Sequence, residues 1–149
     1  IGTEQQFSVT ITANLDDLSA DQTILGHTQG SDASNRVEIG TSESGSVFTC
    51  STFDGSNILS TSTTSADSIR QRIGVRHDGN TDTIDIFING TEVSDGTVRT
   101  SLAGTSGFRV GANAGGFNNA AGVLDNLIIY NHLLSDTEFT DDYNNQPWS

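Results

Sequence analysis

The stretch that decides the fold is GVLDNLIIYNHLLSDTEFTDDY, residues 122–143. It begins with an apolar, partly β-branched run from Val123 to Tyr130, which predicts a strand. Asp125 and Asn126 interrupt this run. Burying a carboxylate without hydrogen-bond partners is costly, so Asp125 is expected to have partners in the fold. The strand therefore raises the question of what its acid and amide do.

The second half of the stretch predicts a short helix. Ser135 precedes Glu138 by three positions, which is the spacing of a capping box. In that arrangement each side chain bonds to the other residue's backbone N–H group at the start of a helix. We therefore expect one helix from Asp136 to Tyr143.

The rest of the chain reads as short strands separated by turns. Phe7, Val9 and Ile11 alternate with polar residues, as in a strand with one buried face. The isoleucines of 84–88 alternate in the same way, and Asn89-Gly90 after them is typical of a hairpin turn. The same reasoning places further strands at Thr23–Gly26, Val37–Ile39, Ser46–Phe53, Ser56–Ser65 (an edge strand), Arg70–Asp78 and Phe108–Val110. This pattern predicts an all-β antiparallel sandwich.

Bulk composition excludes some classes of partner. The 149 residues, 1–149, fit one domain, and six arginines against 19 acidic residues give a net charge of −13. This charge argues against nucleic acid or anionic lipid as a partner. The absence of a long apolar run argues against membrane insertion. A chain that starts at Ile1 and contains no methionine is expected to be a processed product or a piece of a larger protein.

Four segments carry a resemblance to a known family. They are IGVRHDG, IDIFINGTEV, FRVGANAGG and GVLDNLIIYNHLLSDTEF, in that order. This order resembles the laminin-G-like, concanavalin A-like family of lectin and glucanase jelly rolls. The resemblance implies two antiparallel sheets packed face to face with one short C-terminal helix. The family often has a further strand ahead of the one that begins at Phe7, so a preceding segment or a neighbouring subunit is expected to cover that edge.

The resemblance leaves two roles for Asp125. In the family this aspartate is mainly structural, with calcium nearby in some members. Calcium takes six to eight oxygen ligands, which acidic loops can supply. The candidate calcium ligands are therefore Asp125, Asp78 and Asp82, and a solvated acidic surface is the alternative for the loop acids.

The arginines are the candidates for ligand binding. Arg70, Arg72 and Arg76 lie on one face of a predicted strand and are half of the cations of the chain. They could bind an anionic glycan or a partner's carboxylates, or they could pair with acids of this chain. Phe87 lies on the face of its strand opposite the isoleucines, where it could stack on a sugar ring or cover a sheet or loop.

No catalytic motif accompanies these candidates. Glucanases of the superfamily carry Glu-x-Asp-x-x-Glu on one strand, and this chain has no such run. We therefore expect no enzyme and no catalytic residue, but a recognition or surface-display module with lectin-like carbohydrate binding. The alternative is a structural or interaction domain of a virus particle, adhesin or surface appendage. The expected partners are a glycan or the neighbouring subunits of an assembly such as a homo-oligomer. The expected location is extracellular or on a cell or virion surface.

Overall fold

Ten strands and one helix make up the part of the chain that the computed structural model describes, which is residues 6–16, 21–28, 36–42, 47–53, 58–64, 69–81, 83–97, 107–112 and 119–147. The strands are β1 Gln6–Leu15, β2 Gln22–Thr28, β3 Arg36–Ser42, β4 Val47–Phe53, β5 Ile58–Thr64, β6 Gln71–Asp78, β7 Thr83–Ile88, β8 Thr91–Thr97, β9 Gly107–Val110 and β10 Gly122–Tyr130. The helix α1 spans Asp136–Asn144.

The strands form two five-stranded antiparallel sheets. The first, here called the helix-side sheet, has the order β10-β1-β6-β7-β8, and the second has the order β5-β4-β3-β2-β9. The predicted two-sheet fold is confirmed. The prediction of an edge strand near 56–65 is also confirmed, because β5 lies at the end of the second sheet.

The core lies between the two sheets. Phe7, Val9 and Ile11 of β1 point into it, as the alternation predicts. The other buried members of this core are Ala13, Leu15, Ile24, Leu25, Ile39, Phe48, Cys50, Ile73, Val75, Ile84 and Ile86. Burial raises the pKa of the Cys50 thiol, which therefore stays protonated and packs as a small hydrophobic group.

Strand β1 is buried on both faces, whereas its alternating sequence predicts one. Ser8, Thr10 and Thr12 on its polar face are at most 1% exposed. The Oγ of Ser8 accepts a hydrogen bond of 2.9 Å from the backbone N–H of Leu134, which lies just before α1. The C-terminal segment thus covers the outer face of the helix-side sheet, and the hydroxyl groups of β1 are used as hydrogen-bond acceptors beneath it.

A β-bulge explains the polar pair inside the final strand. Thr10 lies opposite Ile128 but Thr12 lies opposite Asp125, so β10 carries one extra residue at this point. Asn126 within the bulge has a φ of 49°, a left-handed conformation that asparagine tolerates well. The strand is not the buried one that its apolar run suggests: it forms the edge of its sheet, and Val123 is 61% exposed.

Local sequence signals set the hairpin and the helix start. Asn89 and Gly90 both have positive φ, 52° and 77°, as a type I′ turn requires. At the start of α1, Ser135 N donates to Glu138 Oε2 over 2.8 Å, and Glu138 N donates to Ser135 Oγ over 3.3 Å. The predicted capping box is confirmed, and the helix ends one residue later than expected, at Asn144.

Candidate functional site: a groove beside the C-terminal helix

Arg72 joins the helix to the sheet from a buried position. Its side chain is 2% exposed, and it bonds Asp142 of α1 through Nε–Oδ2 at 2.6 Å and Nη2–Oδ1 at 3.0 Å. It also donates to Thr10 Oγ1 at 2.6 Å, Thr12 Oγ1 at 3.2 Å and the Asn126 carbonyl at 2.6 Å. A guanidinium has five N–H groups, so these five bonds use all of them. The bulge at Asn126 thus supplies an acceptor to Arg72.

Arg76 is held in the same way at the other end of the helix. Its guanidinium bonds Asp85 at 2.6 Å, Asp136 at 2.8 Å and the Leu134 carbonyl at 3.1 Å, and it lies 5.0 Å from the Phe87 ring centroid. Burial alone would lower the pKa of Arg76. Hydrogen bonds and charge attraction from Asp85 and Asp136 outweigh it and raise that pKa above its ordinary value.

Phe87 packs beneath the helix. Its ring stacks on Phe139 of α1 with centroids 3.9 Å apart, and both side chains are at most 2% exposed. The Phe139 ring also lies directly on the backbone of β6, because a Cβ built on Gly74 would lie 2.6 Å from Phe139 Cε1. Glycine at this position therefore lets the helix approach the sheet.

These contacts correct part of the ligand-site prediction. Arg72 and Phe87 are covered by the helix and present no surface to a ligand. The alternative that the arginines pair with acids of this chain is confirmed for Arg70, Arg72 and Arg76. Only Arg70 of the three is well exposed, at 39% of its side chain, and it pairs with Asp125 at 2.8 Å.

Asp125 acts as an anchor on the strand edge. One carboxylate oxygen accepts from Arg70, and the other accepts from the Asn126 backbone N–H at 2.8 Å. The expectation that it has partners is confirmed, although the side chain is half exposed rather than buried.

Asp78 holds the turn after β6. It accepts from Gln6 Nε2 and from Asn80 N, each at 2.9 Å. Burial alone would raise the pKa of Asp78, but these bonds, with those from Thr81, lower it below its ordinary value. The bonds thus keep Asp78 ionised as a turn-stabilising acceptor.

The predicted calcium ligands do not share one site. Asp78 lies opposite Gln6 of β1, and Asp125 lies opposite Thr12, so about six strand residues or roughly 20 Å separate them. Asp82 falls outside the described residues. Within the described ranges, no group of three or more His, Cys, Asp or Glu side chains could hold a metal ion. Asp78 and Asp125 therefore do not fit one shared calcium ion. Calcium binding by the chain stays a prediction.

A groove of about 330 Å³ lies between the end of β10 and α1. One wall carries two rings in an edge-to-face arrangement, Tyr130 and His132, whose centroids are 5.7 Å apart. Its volume is at the lower end of the range for small-molecule sites. The other lining residues are Leu134, Glu138, Asp141, Asp142, Asn145 and Gln146.

The opposite wall is one face of the helix and its C-terminal end. Glu138, Asp141, Asp142 and Asn145 follow the spacing i, i+3, i+4 and i+7, which places their side chains on one side of a helix. This groove is not among the sites that the sequence predicts. The acidic and amide residues at helical spacing were the signal that could have indicated it, together with Tyr130 just before the helix.

Two of the groove carboxylates are engaged in hydrogen bonds within the chain. Hydrogen bonds from the Ser135 backbone and hydroxyl, and attraction to His132, lower the pKa of Glu138 below its ordinary value. Asp142 is bonded to Arg72 through both oxygens. A general acid for glycoside cleavage needs a raised pKa, so the lowered pKa of Glu138 suits this carboxylate to accept hydrogen bonds rather than to donate a proton.

Substituting Glu138 with glutamine is expected to remove one source of acid sensitivity. Glutamine keeps the capping box, but it does not titrate. Because the folded pKa of Glu138 is lowered, its charge stabilises the fold above the ordinary carboxyl pKa, and this stabilisation is lost as the pH falls through the folded value. Wild type should therefore unfold at a higher urea concentration than Glu138→Gln at neutral pH, and this difference should become smaller as the pH is lowered.

The matched control for this experiment is Asp141→Asn, which removes an exposed carboxylate outside the capping box. Unfolding followed by circular dichroism across the pH range gives the midpoints. An unchanged gap between wild type and Glu138→Gln at every pH would contradict the role assigned to the ionised cap.

A sequence pattern of one known protein family matches nearly the whole chain. The sequence pattern described as the concanavalin A-like lectin/glucanases superfamily matches residues 1–139. A search of curated proteins finds no significant match.

Solved structures share the fold at low sequence identity. The CBM40 of the Ruminococcus gnavus IT-sialidase is 13% identical with a TM-score of 0.72, over 95% of this chain and 84% of that one, and it has also been solved with α2,3-sialyllactose. The leech intramolecular trans-sialidase is 12% identical with a TM-score of 0.77, over 96% of this chain but 24% of that one. A heptameric SAP-like pentraxin from Limulus polyphemus is 13% identical with a TM-score of 0.72, over 93% and 70%. At these identities the likeness shows the fold alone.

Proposed function

Because the chain belongs to the concanavalin A-like lectin/glucanase superfamily, we propose that it is a non-catalytic, lectin-like carbohydrate-binding module. The CBM40 neighbour, whose structures include complexes with α2,3- and α2,6-sialyllactose, supports this proposal. The observation that carries it in this chain is the groove with a ring on one wall and oxygen acceptors on the other.

The groove matches the two kinds of surface that a sugar presents. A sugar ring has an apolar face that can pack on an aromatic ring such as Tyr130, and hydroxyl groups that can donate to carboxylate and amide oxygens. Asp141, Asn145 and Gln146 supply such oxygens at the helix wall.

The proposed role also fits the charge and hydropathy of the chain. No helix in the described ranges is long and apolar enough to cross a membrane. With a net charge of −13, the chain would be repelled by nucleic acid and by anionic lipid. We propose that the module works outside the cell or on its surface, where glycans are displayed.

An interaction domain is the second candidate, and one observation favours it. The edge strand β10 exposes three aliphatic side chains, Val123, Ile128 and Ile129, at 61%, 41% and 39%. Exposed apolar side chains on a sheet edge favour pairing with another chain. The heptameric state of the pentraxin neighbour is compatible with this alternative, in which a second copy of the chain would pair with β10.

Substituting Tyr130 with alanine is expected to weaken glycan binding by at least about tenfold, because a sugar would lose the apolar contact of the ring. His132→Ala, which truncates an exposed ring of the same wall, is expected to weaken it less. Screening on a glycan array identifies the sugar, and calorimetric titration of wild type and both variants then measures affinity.

Asp125→Ala is the matched control, since Asp125 is exposed and lies outside the groove. Thermal unfolding checks that Tyr130→Ala remains folded, because Tyr130 also packs against the small core under the helix. Repeating the array with a calcium chelator tests the calcium prediction separately. Equal affinity in wild type and both groove variants would contradict the assignment of the site. No binding to any glycan, with concentration-dependent self-association in sedimentation, would favour the interaction domain.

A further inference from the structure

The exposed charge of the groove is negative. Three of its lining side chains are carboxylates. Arg72 bonds one of them, Asp142, but it is buried behind that residue and all of its N–H groups are already bonded. Among the lining residues that the structure describes, His132 carries the one titratable nitrogen. Within the described part of the chain, a ligand in the groove therefore meets carboxylates without an exposed guanidinium from the lining to offset them.

Asp141 is the groove carboxylate that is available to a ligand. Both oxygens of Asp142 are bonded to Arg72, and Glu138 accepts from Ser135 in the capping box. Asp141 is exposed, and among the described residues its carboxylate has no hydrogen bond or ion pair. It projects from the same helix face as Glu138, one turn further on. A cation placed beside Asp141 would therefore lie close to a second negative charge.

From this arrangement we infer that the groove selects sugars that carry a protonated amine and rejects sialylated sugars. This inference rests on the proposed function and names the class of glycan. The sugar ring packs on Tyr130, and the ammonium group donates hydrogen bonds to Asp141. The carboxylate of a sialic acid in the same place would be repelled by Asp141 and Glu138. The expected ligand class thus differs from the sialyllactose bound by the structural neighbour.

The size of the selection follows from simple electrostatics. One opposite-charge contact at about 4 Å changes an affinity roughly fivefold in water, and more where solvent is partly excluded. Two nearby carboxylates should therefore favour an amino sugar over its N-acetylated form by about tenfold or more. The preference should shrink as salt concentration rises, because exposed charges are screened.

Calorimetric titration with two matched pairs of probes tests the inference. Glucosamine tetramers are compared with N-acetylglucosamine tetramers in a mildly acidic buffer, and lactose is compared with 3′-sialyllactose. Wild type should bind the amino sugar at least about tenfold more tightly than the acetylated one. Asp141→Asn should abolish most of this difference, because the amide keeps one acceptor oxygen for a sugar hydroxyl group but carries no charge.

Asp125→Asn is the control for non-specific attraction, because it removes an exposed carboxylate outside the groove. Equal loss of amino-sugar binding in Asp125→Asn and Asp141→Asn would overturn the inference. Tighter binding of sialyllactose than of lactose, lost in Tyr130→Ala, would overturn it as well but would leave the proposed carbohydrate-binding function standing. Absence of binding to all four probes and to the glycan array would overturn both.

Discussion

Arg72→Ala is expected to lower the free energy of unfolding by about 3–5 kcal/mol, because breaking a buried, hydrogen-bonded ion pair leaves its partner uncompensated. The partner, Asp142, is only 10% exposed, so its carboxylate would lose both guanidinium bonds without regaining full hydration. Thr10, Thr12 and the Asn126 carbonyl would each lose a donor as well. Urea denaturation followed by circular dichroism measures the change.

Arg70→Ala is the matched control, two residues before Arg72 and just ahead of β6. Arg70 is also an arginine bonded to an aspartate at 2.8 Å, but its side chain is 39% exposed. Exposed ion pairs contribute about 0–1 kcal/mol, so this substitution should be nearly neutral. Similar losses in the two variants would show that burial of Arg72 does not decide its contribution.

Phe139→Ala is expected to cost about 3–5 kcal/mol, as for other large aromatic side chains removed from a core. Phe139 is 2% exposed and stacks on Phe87, and it is the one residue of α1 that is buried. Its loss would leave a cavity beneath the helix and weaken the helix wall of the groove. The measurement is again the urea midpoint, with near-ultraviolet circular dichroism to report the packing of the rings.

Gly74→Ala is the companion variant that identifies the contact. A Cβ at this position would lie within 2.7 Å of two atoms of the Phe139 ring, so it should cost about 1–3 kcal/mol by overpacking. In the double variant with Phe139→Ala, the new methyl group would occupy part of the cavity. The two costs should therefore be clearly less than additive. Additive costs would mean that the helix does not press on β6 at Gly74.

Much of the fold could be predicted because its signals are local. The alternation of Phe7, Val9 and Ile11 identifies a core-facing strand, Asn89-Gly90 identifies a type I′ turn, and Ser135 with Glu138 identifies a helix start. In each case the residues that carry the signal are at most a few positions apart. The arginines of β6 are predicted on one face for the same reason, because side chains two or four positions apart on a strand point to the same side.

The partners of that face could not be predicted in the same way. Arg72 bonds Asp142, which lies 70 positions later, and acids are common throughout a chain that carries 19 of them. Nothing in the strand indicates that a helix will cover its polar side. The strand by itself therefore suggested a ligand-binding arginine surface, and the helix converts that surface into a buried contact.

Short-range patterns are enough to predict the types of the elements, the core-facing side of the main strands, the family and the acidic character of the chain. These follow from short-range spacing and composition. The role of Asp125 at a strand edge, the burial of Arg72 and Phe87 under the helix, and the groove between Tyr130 and the helix face emerge only from the packing of the chain. Burial and ion pairing depend on which distant segments pack together, and α1 docks on the helix-side sheet through contacts that span most of the chain.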